Sequence, residues 1–292
     1  MAGPIRYEIE HASRYAYAEP AHYSVMRLCL KPCAGVRQRL LSFHVSTEPP
    51  AALSAETDAF GNTRHVLNLH QPHHGLAITA RSLIEVLPPD PVPEALEAGA
   101  WPRIRARRNT FSDWDYTRPS PLTGPSPALD ALARRLHIRP LDDPLTSLRR
   151  LTDTLHRSFT YSPGSTSVIS PIDHILETGH GVCQDYTHVM IAIARSWGIP
   201  TRYVSGYLHV TGAQGEQAPE TATHAWAECR LPGLGWIGFD PTNRTLADQR
   251  HVRLAIGRDY QDVTPTRGIF RGPAQSHLTV NVRIRPLPPP PA

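Results

Sequence analysis

The sequence predicts an α+β fold, with a β-rich first third and a core in which one apolar helix packs on an antiparallel sheet. Three observations predict it. Residues 5 to 87 alternate apolar and polar side chains between turn formers. Residues 182 to 197 carry apolar side chains at helical spacing on nearly every face, so that helix should be buried. Residues 222 to 240 read as two strands joined by a Gly-rich turn.

The elements follow in chain order. In the first region Ile5/Tyr7/Ile9, Tyr15/Tyr17, Leu41/Phe43/Val45 and Ile78/Leu83/Val86 mark strands of an antiparallel β unit. Pro88-Pro-Asp-Pro-Val-Pro93 ends it, which gives residues 1–88 as a β-rich N-terminal region and residues 89–127 as a Pro-rich connector lying on the surface. Residues 128–292 are left for the core and a C-terminal strand extension. Helical periodicity covers Ala128 to Leu136 and Leu145 to Phe159, the second with a stripe of Leu148, Leu151 and Leu155. Ser170 as cap, Pro171 at the first position and Asp173 in the first turn start a short helix to about Thr178. After the apolar helix come a strand from Thr201 to Val210 and a polar stretch at 211–223, which is either a gate beside His224 or a tolerated hairpin insertion. Residues 277 to 285 alternate again and are expected to return to the N-terminal sheet.

Composition narrows the function classes. Thirty prolines and a hydrophobic fraction of 40% in 292 residues suit a loop-rich soluble protein. No apolar run reaches membrane-spanning length and the first ten residues lack a signal-peptide core, so no membrane partner and a cytoplasmic location are expected. The net charge of +4 is modest, and its densest run, Arg103-Ile-Arg-Ala-Arg-Arg108, has neither stacking aromatics nor a recognition motif, so no nucleic-acid partner is expected. The four cysteines, Cys29, Cys33, Cys183 and Cys229, make no disulfide or zinc framework. Among sixteen histidines the cluster His70-Gln-Pro-His73-His74 is broken by Pro72 and reads as an exposed polar loop. Neither a metal nor a cofactor is expected.

The chemistry gathers around Cys183. Gly179 and Gly181 break the chain before it, Gly198 and Pro200 stop the helix after it, and Cys183 falls in or just before the first turn. There the unpaired amides and the positive helix end favour the thiolate, the nucleophilic form of cysteine. Downstream, His224, Trp226 and Glu228 share one face of a strand, and Trp236, Gly238 and Asp240 share one face of the next. A pairing centred on Pro232 sets His224 opposite Asp240, within reach of a carboxylate to imidazole hydrogen bond. Asp240 then fixes the imidazole tautomer and leaves the other ring nitrogen to Cys183. Gly238 is expected to leave room for substrate or helix.

The segments Gly-Val-Cys183-Gln-Asp, His224-Ala-Trp-Ala-Glu and Gly235-Trp-Ile-Gly-Phe-Asp240-Pro-Thr resemble the transglutaminase-like superfamily, whose core is a papain-like α+β unit. Tyr7 to Val86, with Leu28-Cys-Leu-Lys-Pro32 and Asp58-Ala-Phe-Gly-Asn62, resembles the N-terminal region found in many bacterial members. Gly257-Arg-Asp-Tyr260 and Arg267-Gly268 are similar to that subgroup's segment after the core. The resemblance implies Cys183 as nucleophile, His224 as base and Asp240 as orienting carboxylate. Gln184 and Trp226 are candidate oxyanion or substrate contacts, whereas Asp185 and Glu228 are expected to be structural or to touch substrate.

These parts imply a thiol-dependent acyl-transfer enzyme acting on a peptide or protein substrate. The sulfur attacks an amide carbonyl, the Cys183 backbone N–H and a second donor hold the oxyanion, and His224 protonates the departing amine. Water as the second nucleophile gives a cysteine peptidase or amidase, the expected outcome given the bacterial relatives that the chain resembles. A primary amine gives a protein-glutamine gamma-glutamyltransferase, and a third reading is a non-catalytic binding module that keeps the three residues unused.

Overall fold

The computed structural model describes residues 3–166, 170–210, 223–272 and 275–288. The polar stretch read as a possible gate falls almost wholly outside them. Six strands come first: β1 (Ile5–Ala21), β2 (Tyr23–Leu28), β3 (Gln38–Glu48), β4 (Ala52–Thr57), β5 (Thr63–Leu69) and β6 (His73–Val86). The connector contributes α1 (Ala100–Arg107), and α2 (Pro127–Arg135), α3 (Pro144–Ser158) and α4 (Ile172–Thr178) follow. A two-residue parallel pair, β7 (Thr160–Tyr161) with β8 (His180–Gly181), leads into α5 (Cys183–Ser196). The rest comprises β9 (Thr201–Leu208), β10 (His224–Leu231), β11 (Gly235–Asp240), β12 (Thr245–Leu246), β13 (His251–Gly257), α6 (Tyr260–Val263), β14 (Thr266–Arg271) and β15 (Ser276–Leu287).

The N-terminal β unit is two antiparallel sheets, β15-β1-β6-β3 and β14-β2-β5-β4. Each takes its first strand from the far end of the chain, so the C-terminal segment returns to the N-terminal region. Between the sheets lie Met26, Leu28, Leu67, Leu76 and Ile78, all buried. On β3 the expected face of Leu41, Phe43 and Val45 is broken by a bulge between Leu40 and Ser42, which turns Leu41 out to solvent. His73 is buried and bonded to the Ser24 hydroxyl at 2.9 Å, so the histidine cluster is only in part an exposed loop.

The core is a five-stranded antiparallel sheet, β12-β11-β10-β9-β13, with α5 against one face. Val189, Met190, Ile193 and Ala194 of that helix meet Ala225, Ala227 and Cys229 of β10 in one apolar cluster. Small side chains on that face of β10 let the helix come close. The opposite face carries Trp226 and Glu228. The N-terminal region meets this sheet through a cluster of Tyr7, Ile9, Ile84, Tyr207, Val252 and Leu254.

Edge strand β13 would expose unpaired backbone groups. Side chains of the N-terminal region take them up. Gln38 accepts from the Arg253 N–H at 2.7 Å and donates to the Arg253 carbonyl at 2.7 Å. Asn62 does the same for Ile256, at 2.9 and 2.7 Å, and the Cys33 thiol donates to the Leu254 carbonyl at 3.1 Å. Asp58 holds Asn62 in place through the Asn62 N–H and side-chain amide.

The connector is built in more closely than its prolines suggest. α1 buries Ala100 and Ile104 and leaves Arg103, Arg105 and Arg108 to solvent. Arg195, buried at the end of α5, donates to the carbonyls of Arg118, Thr201 and Arg258 and to the Thr123 hydroxyl, tying the connector to the core. The short helix starts one residue later than expected: α4 begins at Ile172 with Pro171, its ψ extended at 156°, in the cap position in place of Ser170. No helix among the described residues is long and apolar enough to cross a membrane.

Trp226, 1% exposed, lies across the sheet over two glycines. A Cβ on Gly206 would sit 2.4 Å from the indole and 2.4 Å from the Val252 carbonyl oxygen. Backbone on one side and a fully buried ring on the other leave it nowhere to go. Gly206→Ala is therefore expected to lower the unfolding free energy by about 2–3 kcal/mol, read as a lower urea midpoint at unchanged slope. Gly124→Ala, whose Cβ would meet nothing nearer than 3.8 Å, is expected to leave the midpoint in place.

Candidate active site

Cys183 is the first residue of α5, and the chain reaches it through tightly fitted turns. Gly179 closes α4 in the left-handed region (φ 74°), where a non-glycine residue would be strained. Gly181 has no space for a side chain, since a Cβ there would lie 2.6 Å from Ile175 and 3.0 Å from Asp185. Val182 takes the cap position with extended backbone, and its N–H donates to the Asp185 carboxylate at 2.8 Å. Valine offers no acceptor in return, so the cap is one-sided. The Thr166 hydroxyl also donates to Asp185, at 2.7 Å, which makes Asp185 a structural residue of the first turn.

The hairpin supplies the histidine and the aspartate. Its pairs are Ala227 with Phe239, Glu228 with Gly238 and Leu231 with Gly235, so it centres on Gly233 and not on Pro232. Gly233 and Gly235, with φ of 77° and 73°, make the three-residue loop 232–234 possible. The slip of two residues keeps every side chain on its expected face. It places His224 diagonal to Asp240, and the imidazole spans the gap: Nε2 lies 2.7 Å from Asp240 Oδ2. That contact leaves Nδ1 for the thiol, and His224 shares a hydrogen bond with the Cys183 side chain. Thus Cys183, His224 and Asp240 are brought together.

Asp240 is buried and fully engaged. Its Oδ1 accepts from the N–H groups of Thr242 and Asn243 at 3.0 and 3.1 Å, an Asx turn through Pro241. Its Oδ2 accepts from His224, from the Asn243 side chain at 2.8 Å and from His251 Nε2 at 3.2 Å. Burial alone would raise its pKa, but the bonds from His224 and His251, the charge of His224 and the bond from Asn243 outweigh it and hold the group well below the carboxylate range. For His224 burial would lower the pKa, but the bonds to Asp240 and Cys183 and their charges lift it to about 10.

His251 and Asn243 belong to the site and were not singled out from sequence. His251, 5% exposed, stands eleven residues beyond Asp240 on β13, and its Nδ1 accepts the Asp248 N–H at 3.1 Å. Nδ1 also lies 3.2 Å from the Asp248 carboxylate, and because the Asp240 carboxylate can only accept, Nε2–H is the donor to it. His251 becomes visible only once β11 and β13 are known to flank β10 and β9. Asn243, three residues after Asp240, could have been found from the turn that Asp240-Pro241 starts.

Trp226 backs the pair of imidazoles, near-parallel to His224 (ring centroids 6.2 Å, 29°) and edge-on to His251 (5.2 Å, 78°). Among the described residues its indole N–H has no partner. The room expected at Gly238 is taken by this indole and by Ala247, whose Cβ would lie 2.5 Å from one placed on Gly238. Gln184 is buried in the first turn of α5. Glu228 is a structural anion, paired with Arg202 and Arg253 at 2.6 Å each. Three tyrosine hydroxyls, of Tyr161, Tyr203 and Tyr260, lie within electrostatic reach of Cys183.

His224, Asp240 and His251 bring three ligand-type atoms within 4.8 Å of one another, the group among the described residues that comes nearest to a metal-binding set. All three atoms are joined by hydrogen bonds through Asp240 Oδ2, which is the geometry of a proton-sharing chain. As a piece of chemistry, the arrangement can hold an imidazolium between a carboxylate and a sulfur at the positive end of a helix.

Two family models match the chain: the transglutaminase-like superfamily over residues 130–241, and the bacterial transglutaminase-like N-terminal region over residues 7–85. An uncharacterized protein of Mycobacterium tuberculosis is 32% identical over 98% of this chain and 95% of its own length. Another, of Mycobacterium leprae, is 29% identical over 97% and 99%. Among solved structures, a candidate cysteine protease of Cytophaga hutchinsonii superposes with a TM-score of 0.78 at 18% identity, covering 100% of this chain and 93% of that one. At that identity the likeness concerns the fold.

The pKa shifts set a pH window for stability. Asp240 contributes stability that is present above about 3.8, its ordinary value, and is lost as the pH falls toward its lower native value. His224 contributes stability that is full below about 6.5 and is lost as the pH rises through about 10. The melting temperature of the wild type is therefore expected to exceed that of Asp240→Asn most between about pH 4 and 6.5, and the gap to shrink toward pH 10. A gap that widens above pH 7 would contradict the assignment.

Proposed function

The chain belongs to the transglutaminase-like superfamily, and from that premise we propose that it is a thiol-dependent acyl-transfer enzyme that cleaves peptide or side-chain amide bonds through Cys183, His224 and Asp240. The observation that carries the proposal is the chain of contacts from Asp240 Oδ2 through the His224 imidazole to Cys183 at the start of α5. An imidazolium kept charged by a buried carboxylate balances a thiolate while the substrate carbonyl approaches. The sulfur attacks that carbonyl and forms the C–S bond. Developing negative charge on the oxygen is met by the Cys183 backbone N–H at the helix start. His224 then gives its proton to the leaving amine as the C–N bond breaks, and a thioester remains. Water, deprotonated by the now neutral His224, adds to the thioester, and its collapse releases the acid and restores the thiolate beside the imidazolium.

The other three cysteines support a single nucleophile. Burial pushes the thiols of Cys29 and Cys229 up to about 12 and that of Cys33 up to about 11. All three should be inert at neutral pH. Iodoacetamide at pH 6 is therefore expected to label Cys183 at least tenfold faster than the others, read by peptide mass spectrometry; equal rates at all four sites would remove the activated thiol from the account.

On peptide amides, Cys183→Ala is expected to abolish turnover and His224→Ala to lower kcat by roughly 10³–10⁴-fold with both variants folded. The acceptor is decided by products. With a glutamine-containing peptide library and a primary amine at low concentration, hydrolysed products are expected to dominate. Amine adducts in excess would make the protein a transferase.

A further inference from the structure

A cleft of about 370 Å³ opens where the N-terminal β unit meets the segment after the core. Tyr15 and Tyr17 of β1, Met26 of β2 and Phe270 of β14 line it from one side, and Tyr260 of α6 from the other. We propose that this cleft binds an aromatic side chain of the peptide substrate, next to the amide that Cys183 attacks. The proposal rests on the acyl-transfer reading for the identity of its ligand as a substrate.

The cleft is indexed to the nucleophile helix by a rigid link. Tyr260 donates its backbone N–H to Nε2 of His188 at 3.2 Å. His188 stands five residues after Cys183 on α5, a rise of roughly 7–8 Å along the helix axis. It is fully buried, and burial together with the nearby Arg195 pulls its pKa down to about 3, so it stays neutral and keeps an acceptor for that N–H. The Tyr203 ring stands edge-on to the Tyr260 ring, with centroids 6.3 Å apart. Tyr260 thus forms one wall of the cleft with its hydroxyl still within electrostatic reach of Cys183.

The opposite wall is equally fixed. The Tyr15 hydroxyl is bonded to Thr266 Oγ1 at 2.6 Å, joining β1 to β14, and the Tyr17 and Phe270 rings pack with centroids 4.8 Å apart. Aromatic faces and a methionine sulfur suit a planar apolar guest, since edge and face contacts add to the area buried. Among the described lining residues only Arg267 is charged, and it is exposed at the rim. A volume of this size holds one large side chain and the start of its backbone.

Binding to Cys183→Ala protein by calorimetry separates the cleft from catalysis. Three matched peptides carry phenylalanine, alanine or aspartate next to the same glutamine amide. The phenylalanine peptide is expected to bind about tenfold more tightly than the alanine peptide. In the same background, Phe270→Ala, and separately Gln261→Trp, which fills the cleft from an exposed rim position, are each expected to reduce that preference to about twofold or less. Equal binding of the three peptides, tighter binding of the aspartate peptide, or a preference that survives Gln261→Trp would overturn the proposal. Turnover by the unaltered enzyme tests acyl transfer separately: a protein that binds the phenylalanine peptide selectively and turns over none keeps the cleft and loses the reaction.

Discussion

One buried carboxylate holds the site together. Asp240 has no exposure to solvent, and an unpaired charge in such a place costs several kcal/mol. The fold answers with donors from three directions: the Asx turn behind it, His224 in front, and His251 from the far edge of the sheet. Each donor is bought by a different part of the sequence. The turn needs Pro241-Thr242-Asn243, His224 needs the hairpin register, and His251 needs β13 in its place. Moving any of these strands would leave the carboxylate short of partners, so the charge constrains the sheet as much as the sheet positions the charge.

The N-terminal region acts on this arrangement at one remove. β13 carries His251, and its outer edge is satisfied by Gln38, Cys33 and Asn62, all from the first 88 residues. A strand whose exposed amides are met by side chains cannot easily slide or pair with another chain. The Asp58 turn matters because it aims Asn62 at Ile256. The β unit is thus a brace for the core sheet as well as one wall of the tyrosine-lined cleft. The mycobacterial relatives align over nearly the whole chain, in keeping with two regions that share one structure.

Much of this was legible in the sequence because the signals were local. The glycines around Cys183, the helical spacing from Val182 to Trp197 and the alternation in the hairpin each depend on neighbours within a turn or a strand. The faces of His224 and Asp240 followed from the two-residue period, which survives a register slip of two. What escaped was set by loop geometry and by distant pairing. Gly233 and Gly235 moved the hairpin centre by one residue, a choice made by backbone dihedrals rather than by hydrophobic pattern. His251 joined Asp240 through strand order. The helix Ala100–Arg107 lay hidden in a Pro-rich stretch because Pro102 is tolerated in a first turn and only Ala100, Ile104 and, in part, Trp101 turn inward.

The central claim is that Asp240 keeps His224 as an imidazolium beside Cys183 across the neutral range. Nitrogen-15 NMR of the His224 side chain measures this directly. Both ring nitrogens are expected to stay protonated through pH 8, with deprotonation near pH 10. A neutral imidazole at pH 8, titrating near the ordinary histidine value of about 6.5, would contradict it.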